Sequence, residues 1–216
     1  MASSYQFAYD KAVADLKEKK PAVVCHNAVA EYSAISGTYV VPFFQKPYVV
    51  NVAGGEVYEQ ATGRRCALGT GMLILHYLAF AQDVEPSGKW ITLKEVPNGG
   101  MVFFPAFKKE VLDGLVNTFQ HDLPAFDRAA AAFGGEKLKM AHSAYSFQAF
   151  PRVPLAVLLW EADEEFGGNA NFLFDTTVEY FSPVETIICF GYYLGYKLAQ
   201  ASGLPIAGRK EDPLWD

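Results

Sequence analysis

The stretch AYSFQAFPRVPLAVLLWEADEEFGGNANFLFD, residues 144–175, contains three apolar runs that are typical of β-strands. The first two, residues 144–150 and 152–160, are separated by a proline-marked bend, and the third, residues 169–175, returns after two glycines. Strands joined by such short connections pair as antiparallel hairpins, because parallel pairing needs a crossover of a dozen or more residues. The stretch therefore predicts antiparallel sheet rather than regular β-α-β units.

The rest of the chain alternates predicted helices with shorter predicted strands. The expected helices cover about residues 5–16, 21–37, 69–81, 106–120, 122–133 and 183–201, and further strands are expected over 38–44, 47–52 and 89–93. Ser182 and Pro183 would begin the last helix, and Gly203 and Pro205 would end it. We predict one α+β domain over residues 1–216, with a mostly antiparallel sheet and helices packed on it.

The composition is that of a folded protein with an excess of aromatic side chains. The 216 residues are 51% hydrophobic and 19% charged, so the chain can bury a sizeable core and intrinsic disorder is not expected. The 17 Phe, 12 Tyr and 3 Trp can fill this core or line a pocket for a flat apolar ligand. The net charge of −6 repels phosphate backbones, so nucleic acid is not an expected partner.

The sequence also predicts where the protein works. Its start lacks the basic and apolar regions of a signal peptide, and no stretch is long and apolar enough to cross a bilayer. The three cysteines, Cys25, Cys66 and Cys189, are odd in number and far apart, which fits free thiols in a reducing compartment. We therefore expect a cytoplasmic protein without a membrane partner.

No catalytic signature is present. The chain lacks the H-E-x-x-H, G-x-S-x-G, P-loop and dinucleotide-binding motifs, and its histidines are His26, His76, His121 and His142. His76, within the apolar run LILHYL, is expected to be buried, either as a core residue with one hydrogen bond or as part of a ligand site. The sequence assigns no catalytic residue and favours a binding role, without excluding an enzyme.

The acidic segment after the second run admits three interpretations. It combines carboxylates at Asp163, Glu164, Glu165 and Asp175. Its spacing partly matches a calcium loop, but the fifth position is a glycine and the twelfth is Phe174, so the match fails. A metal-dependent hydrolase centred on residues 161–175 is one alternative. The favoured interpretation is the solvated tip of a strand–turn–strand unit, anchored by Trp160, Phe166, Phe172 and Phe174, in which Asp175 can cap the following turn.

Aromatic residues in or beside the expected strands are the best candidates for a ligand site. Adjacent aromatics, such as Phe43-Phe44 and Phe103-Phe104, project to opposite faces of a strand, so one of each pair would need a helix, a partner or a ligand to cover it. With His76, the candidate cofactor-binding residues are Phe43, Phe44, Tyr48, Phe103, Phe104, Tyr145, Phe147, Phe150 and Trp160.

The string FPRVPLAVLLWEADEEFGGNANFLFD, with LILHYL upstream and SPVETI downstream, resembles the prokaryotic family called domain of unknown function 3786. The sequence departs from the family pattern at Ala162, where glycine is usual, and at Gly167-Gly168, where proline is usual. The resemblance carries over no catalytic residue. It implies a protein of anaerobes with a cofactor-handling role, because some members are associated with corrinoid-dependent one-carbon metabolism.

Three hypotheses about function follow. The first is a non-catalytic binding protein for a large flat cofactor, most simply a corrinoid such as cobalamin, in storage, scavenging or delivery. Its partner would be a corrinoid-dependent methyltransferase system or a second copy in a homodimer. The acidic chain favours a corrinoid, whose side chains are neutral amides, over haem, whose propionates prefer basic residues. The alternatives are the metal-dependent hydrolase and a sensory or protein-interaction module that uses the aromatic surface.

Overall fold

The computed structural model describes residues 2–163, 165–204 and 214–215. The helices are α1 (Ala2–Lys17), α2 (Pro21–Ala28), α3 (Leu68–Phe80), α4 (Gly100–Phe107), α5 (Asp113–Phe119), α6 (Leu123–Ala132) and α7 (Val184–Ser202). The strands are β1 (Glu31–Ser33), β2 (Thr38–Phe43), β3 (Lys46–Asn51), β4 (Glu56–Glu59), β5 (Trp90–Thr92), β6 (Glu136–Lys137), β7 (Ser143–Phe150), β8 (Val153–Trp160) and β9 (Asn169–Asp175). A π-helical turn, Lys108–Leu112, joins α4 to α5.

The strands form two antiparallel sheets, which confirms the predicted α+β class. One sheet has the order β1-β2-β3-β4, and the other has the order β5-β9-β8-β7-β6. The three apolar runs within residues 144–175 become β7, β8 and β9, with Tyr145 opposite Val157 and Val157 opposite Phe172. The short connections between these runs therefore produce the expected hairpins.

The central strand β8 is buried on both faces, which explains its nearly continuous apolar sequence. Leu155 and Val157 face the main core, whereas Ala156 and Leu158 belong to a smaller cluster on the opposite face. Pro154 cannot donate to the ladder, and it lies where the register with β7 shifts between Gln148 and Phe150. The proline is therefore tolerated in a central strand because it sits beside this irregularity.

Helices α3 and α7 are the buried centre of the molecule. Tyr77 of α3 stacks on Phe150 of β7 with ring centroids 4.0 Å apart and an interplanar angle of 3°. On α7, a Cβ atom added to Gly191 would lie 2.3 Å from Cε2 of Phe107, so this glycine permits close packing against α4. Within the described residues no helix is long and apolar enough to span a bilayer.

The turn between β2 and β3 corrects one prediction about the aromatics. Phe44 and Gln45 have positive φ angles of 45° and 64°, the geometry of a two-residue type I′ hairpin turn. Phe44 is therefore a turn residue rather than a strand residue, and its N–H donates to the carbonyl of Ala149 at 2.9 Å. Phe43 and Phe44 are both buried, and Phe44 is covered by Tyr193 of α7, one of the covers that the sequence left open.

The prediction that Phe103 and Phe104 lie in or beside strands is wrong. Both residues are on α4, which begins at Gly100 rather than near residue 106, and both are half-buried. An apolar run without alternation fits a buried helix as well as a strand, so periodicity alone does not separate the two.

Two predicted helix ends differ from the structure, and a third is confirmed. The second helix stops at Ala28 instead of Gly37, because Val29 adopts the left-handed conformation with φ 50° and the chain turns into β1. Ser182 makes no capping hydrogen bond to α7, and its Oγ is buried without a partner among the described residues. Gly203 ends α7 with φ 71°, as predicted, whereas Pro205 lies outside the described residues.

Candidate functional site

A cavity of about 230 Å³ lies between the β2–β3 hairpin, the segment that follows β4, the start of α3 and the C-terminal half of α7. We call it the hairpin cavity. Its aromatic wall consists of Phe43, Phe44, Tyr48, Phe133, Tyr193 and Trp215. Its polar wall includes Lys46, Glu59, Arg64, Arg65 and Lys197, together with Cys66 and Thr70.

The hairpin turn places the aromatic wall. The type I′ conformation directs Phe44 onto α7, where its ring stacks on Tyr193 with centroids 5.2 Å apart and an interplanar angle of 21°. Phe133, just after α6, also packs on Phe44, with ring centroids 5.2 Å apart, and its ring lies 6.5 Å from that of Tyr193. Phe43 supports the same cluster from β2, with its centroid 4.8 Å from Tyr193 and 5.9 Å from Tyr48. A concave aromatic surface results.

The segment after β4 carries the basic residues into the cavity wall. Gly63, with φ 65°, reverses the chain, and Cys66 N–H then donates to the carbonyl of Val57 at 2.8 Å. Glu59 N–H donates to the carbonyl of Arg64 at 3.0 Å, so the segment runs alongside β4. These backbone bonds fix Arg64 and Arg65 beside the hairpin, although both side chains remain exposed.

The wall of the cavity is positively charged. Among the described lining residues, four cations, Lys46, Arg64, Arg65 and Lys197, face one carboxylate, Glu59, which gives these residues a net charge of +3. Lys46 Nζ lies 3.2 Å from Glu59 Oε1. A hydrogen bond from Thr62 and this ion pair lower the pKa of Glu59. The whole chain has a net charge of −6, so the cavity has the opposite sign to the protein that contains it.

The other titratable groups of the cavity are neutral. Burial raises the pKa of the Cys66 thiol to about 12 and that of the Tyr48 phenol to about 12. Burial also raises the pKa of Tyr193 well above its ordinary value. At neutral pH these groups stay protonated, so they leave the positive charge intact and Cys66 is not a thiolate nucleophile.

Two buried hydrogen-bond donors of the cavity have no partner among the described residues. They are the hydroxyl of Thr70 and the indole N–H of Trp215, whose residues are 4% and 1% exposed. Residues 214–215 dock on the start of α3, where the carbonyl of Leu214 accepts from Gly69 N–H at 2.9 Å and from Thr70 N–H at 3.3 Å. Unpaired buried donors are rare in folded proteins, and a ligand with acceptor atoms would satisfy them.

The structure brings together three of the ten candidate residues, Phe43, Phe44 and Tyr48, in this cavity. His76 lies elsewhere, with Nδ1 2.6 Å from Thr186 Oγ1 and Nε2 3.1 Å from the carbonyl of Ala8. Both ring nitrogens of His76 therefore have protein partners.

The other candidate residues do not line the hairpin cavity, although Phe150 packs against Phe43 with ring centroids 4.7 Å apart. Phe147 and Phe150 are packed in the core between the sheets, and Tyr145 is buried against Phe126 with ring centroids 5.6 Å apart. Trp160 lies at the end of β8, beside a shallow depression of about 480 Å³.

Phe103 and Phe104 are half-buried side chains on α4. Phe104 is covered by the Lys94 ammonium, 4.3 Å from the centre of its ring, and Phe103 packs beside Gly99. Neither residue reaches the hairpin cavity.

The carboxylates of the acidic segment do not converge. Asp163 accepts hydrogen bonds from the N–H groups of Glu165 and Phe166 in the turn before β9, whereas Asp175 is the last residue of β9, a strand about 20 Å long at the usual rise per residue. Glu164 lies outside the described residues. Among the described residues no group of three His, Cys, Asp or Glu side chains is placed to hold a metal ion.

Asp175 caps the turn that follows β9. Its carboxylate accepts from the backbone N–H groups of Ser87, Gly88 and Thr177 and from the hydroxyls of Ser87 and Thr177. The prediction that Phe166 anchors the segment is wrong, because this side chain is 70% exposed at the tip of the hairpin.

Sequence reasoning missed most of the cavity. It did not single out Arg64 and Arg65, and it did not place Tyr193, Lys197 or Trp215 near the hairpin. One local signal was available, since Tyr193 and Lys197 are four residues apart and share a face of α7. The pairing of that face with a distant hairpin is a tertiary contact that no short-range pattern encodes.

A second cavity, of about 470 Å³, opens between α5 and α7. Its charged lining residues are Lys109, Glu110 and Asp113, and the side chain of Asp113 is paired with Lys108 at 2.7 Å. The charges there are mixed in sign. Only the hairpin cavity of these two has described lining residues with a clear excess of one charge.

Comparison with known proteins gives a family and no closer relative. No curated protein matches the chain, and no solved structure matches it. The model of one family, described as Domain of unknown function (DUF3786), matches residues 20–197, which include the β2–β3 hairpin, the segment after β4 and most of α7. Because this match covers most of the chain, the protein belongs to the DUF3786 family.

Proposed function

We propose that the protein is a non-catalytic binding protein for a large flat cofactor, with a corrinoid such as cobalamin as the first candidate. The observation that supports the proposal is the hairpin cavity, which joins a concave aromatic wall to unpaired buried donors. Aromatic walls with a few polar groups are the usual construction of cofactor sites. Storage, scavenging or delivery of the cofactor would need no more than this.

The size of the cavity limits how such a cofactor would bind. Its volume of about 230 Å³ is below the range of roughly 300–1,000 Å³ that is usual for sites enclosing a whole drug-sized ligand. A corrin macrocycle does not fit inside. The planar base at the end of a cobalamin nucleotide tail is the part of the cofactor small enough to enter and lie against the aromatic wall, and the macrocycle would lie outside the cavity mouth. The residues therefore fit one end of the cofactor.

The protonation states around the cavity favour binding over catalysis. The thiol of Cys66 and the phenols of Tyr48 and Tyr193 all have raised pKa values, so none acts as a nucleophile or base at neutral pH. The described residues place no histidine in the cavity wall. A protein of this kind would hold a cofactor without transforming it.

The biological setting is part of the same proposal. We infer a cytoplasmic protein, since Cys25, Cys66 and Cys189 are all free thiols. Its partner would be a corrinoid-dependent methyltransferase system that receives the cofactor, or a second copy of this chain in a homodimer.

Anaerobic titration with cobalamin, followed by absorption spectroscopy and with haem as the control ligand, tests the proposal. A shift of the corrinoid bands that saturates near one equivalent, with retention on a desalting column, is the expected result. An unchanged spectrum together with complete separation on the column would refute the proposal.

A pair of truncations locates the site. Phe133→Ala removes a half-buried ring from the cavity wall, whereas Phe7→Ala makes the same change at a side chain on α1 that is 74% exposed. Loss of one stacking contact and its apolar area should weaken cobalamin binding about tenfold in Phe133→Ala and leave it unchanged in Phe7→Ala. Equal affinities in the two variants would show that cobalamin binds elsewhere.

A further inference from the structure

We propose that the hairpin cavity selects a planar aromatic group that carries a negative charge, such as a ring bearing a carboxylate, sulfonate or phosphate. This inference rests on the proposed function because it concerns the same cavity, and it defines the chemistry of the group that enters. The total charge of the chain favours a ligand with neutral side chains, whereas the local charge of the cavity favours an anion.

The first support is the sign of the local charge. Among the residues that the structure describes, four cations and one carboxylate line this cavity in a protein whose net charge is −6. Within the described part of the chain, neither Arg64 nor Arg65 forms an ion pair with a carboxylate within 4.0 Å, whereas Lys46 is paired with Glu59. Guanidinium groups bind planar anions through two parallel hydrogen bonds, so these arginines suit a carboxylate or phosphate.

The second support is that the unpaired buried groups of the cavity wall are hydrogen-bond donors. Trp215 Nε1 is a donor only, and the Thr70 hydroxyl can donate as well as accept. Leaving such a group buried and unpaired costs about 1–3 kcal/mol, and a ligand acceptor that reached it through a small shift of the wall would remove this cost. A ligand rich in acceptor oxygens, as anions are, complements both groups.

The third support is the orientation of α3. Thr70 lies in the first turn of this 13-residue helix, so the positive end of the helix dipole is at the cavity wall. The carbonyl of Leu214 takes the first free N–H groups, and the dipole therefore adds to the potential without offering those groups as direct ligands. The helix, the arginines and the unpaired donors all favour negative charge at the same place.

Two dyes with the same aromatic framework test the proposal in the intact protein. The first is 8-anilinonaphthalene-1-sulfonate, and the second is N-phenyl-1-naphthylamine, which lacks the sulfonate. Fluorescence titration at low salt should show that the sulfonate dye binds at least tenfold tighter than the neutral dye. This advantage should shrink as salt is added, because the cations are exposed and therefore screened.

Two variants separate the charge from the aromatic wall. Arg64→Gln should reduce the advantage of the sulfonate dye at least fivefold while leaving the neutral dye unaffected. Arg128→Gln, an exposed arginine on α6 that does not line the cavity, is the matched control and should retain the full advantage. Phenyl phosphate and benzoate should displace the sulfonate dye, whereas the neutral benzyl alcohol should not. The competitor that displaces the dye at the lower concentration shows whether phosphate or carboxylate is the preferred anion.

Equal affinities for the two dyes, or an equal loss for both dyes in Arg64→Gln, would overturn the inference. Its failure is separable from failure of the proposed function. Cobalamin binding with no preference between the dyes would overturn the anion selectivity alone. Anion selectivity that depends on Arg64, without cobalamin binding, would support this inference and direct the search to other anionic aromatic ligands.

Discussion

Gly191→Ala tests the close packing of α7 against α4. The added Cβ would lie 2.3 Å from Cε2 and 2.7 Å from Cζ of Phe107, well inside normal van der Waals contact. The ring has no room to retreat, because Phe107 is 1% exposed and packs against Phe172 and Phe174 at 5.7 and 6.2 Å. Overpacking of this kind costs about 3 kcal/mol at the upper end of its usual range.

The helix propensity of alanine offsets part of this cost. Alanine is about 1 kcal/mol more favourable than glycine inside a helix, so the net destabilisation by Gly191→Ala should be about 2 kcal/mol. Gly195→Ala, one turn further along α7, is the matched control, because its added Cβ would lie 3.9 Å from Val111. This control should stabilise the protein by about 0.5–1 kcal/mol, since it gains propensity without a clash.

Urea unfolding of the two variants and of the parent protein measures both effects. The free energies should change in opposite directions, and the melting temperature of Gly191→Ala should fall by about 4–8 °C in a protein of this size. The slope of the unfolding free energy against urea should be the same for all three proteins. Stabilisation by both substitutions would refute the close packing of α7 against Phe107.

Three further predictions concern buried polar groups and the cavity wall. Burial lowers the pKa of His76, so the contribution of this residue to stability should be full above about pH 6.5 and should be lost as the pH falls through its pKa in the folded protein. His76→Gln should reduce the slope of the unfolding free energy against pH in this range. Burial acts to raise the pKa of Asp175, but hydrogen bonds from Thr177 and Ser87 outweigh it and lower that pKa, so Asp175→Asn should cost about 1–3 kcal/mol at pH 7, and less below about pH 4. Gly69→Ala would place a Cβ 2.6 Å from the Trp215 ring and should displace it, which fluorescence would report as a red shift.

Each of these predictions has a result that would contradict it. Urea midpoints measured between pH 5 and pH 8 would disprove the account of His76 if the parent and the variant showed the same slope. An Asp175→Asn protein as stable as its parent at pH 7 would mean that the turn does not depend on the carboxylate. An unchanged tryptophan emission in Gly69→Ala would show that residues 214–215 can shift without exposing the indole.

Local patterns predicted the long, strongly patterned elements. The three apolar runs became β7, β8 and β9, and the continuous apolar run after residue 68 became α3, because each run has the length and composition of its element. The proline-marked bend between β7 and β8 and the return of the chain after Gly167-Gly168 were also predicted correctly. Where an apolar run fitted two periods, as around Phe103 and Phe104, the sequence did not distinguish strand from helix and the prediction failed.

The candidate site was only partly predictable. Phe43, Phe44 and Tyr48 were identified because they lie in an aromatic hairpin, which is visible in the sequence. Phe147, Phe150 and Tyr145 had the same local signal but became core, because a strand residue's exposure depends on which helix covers its face.

The sequence by itself determined the antiparallel hairpins, the helices and the excess of aromatic rings, since these follow from neighbouring residues and their periodicity. Only the tertiary structure decided that the β2–β3 turn faces α7, that Arg64 and Arg65 flank it, and that Trp215 docks on Gly69. The physical reason is that the charge of a cavity depends on which surfaces meet in space. A chain with a net charge of −6 thereby builds a cavity whose described lining residues sum to +3.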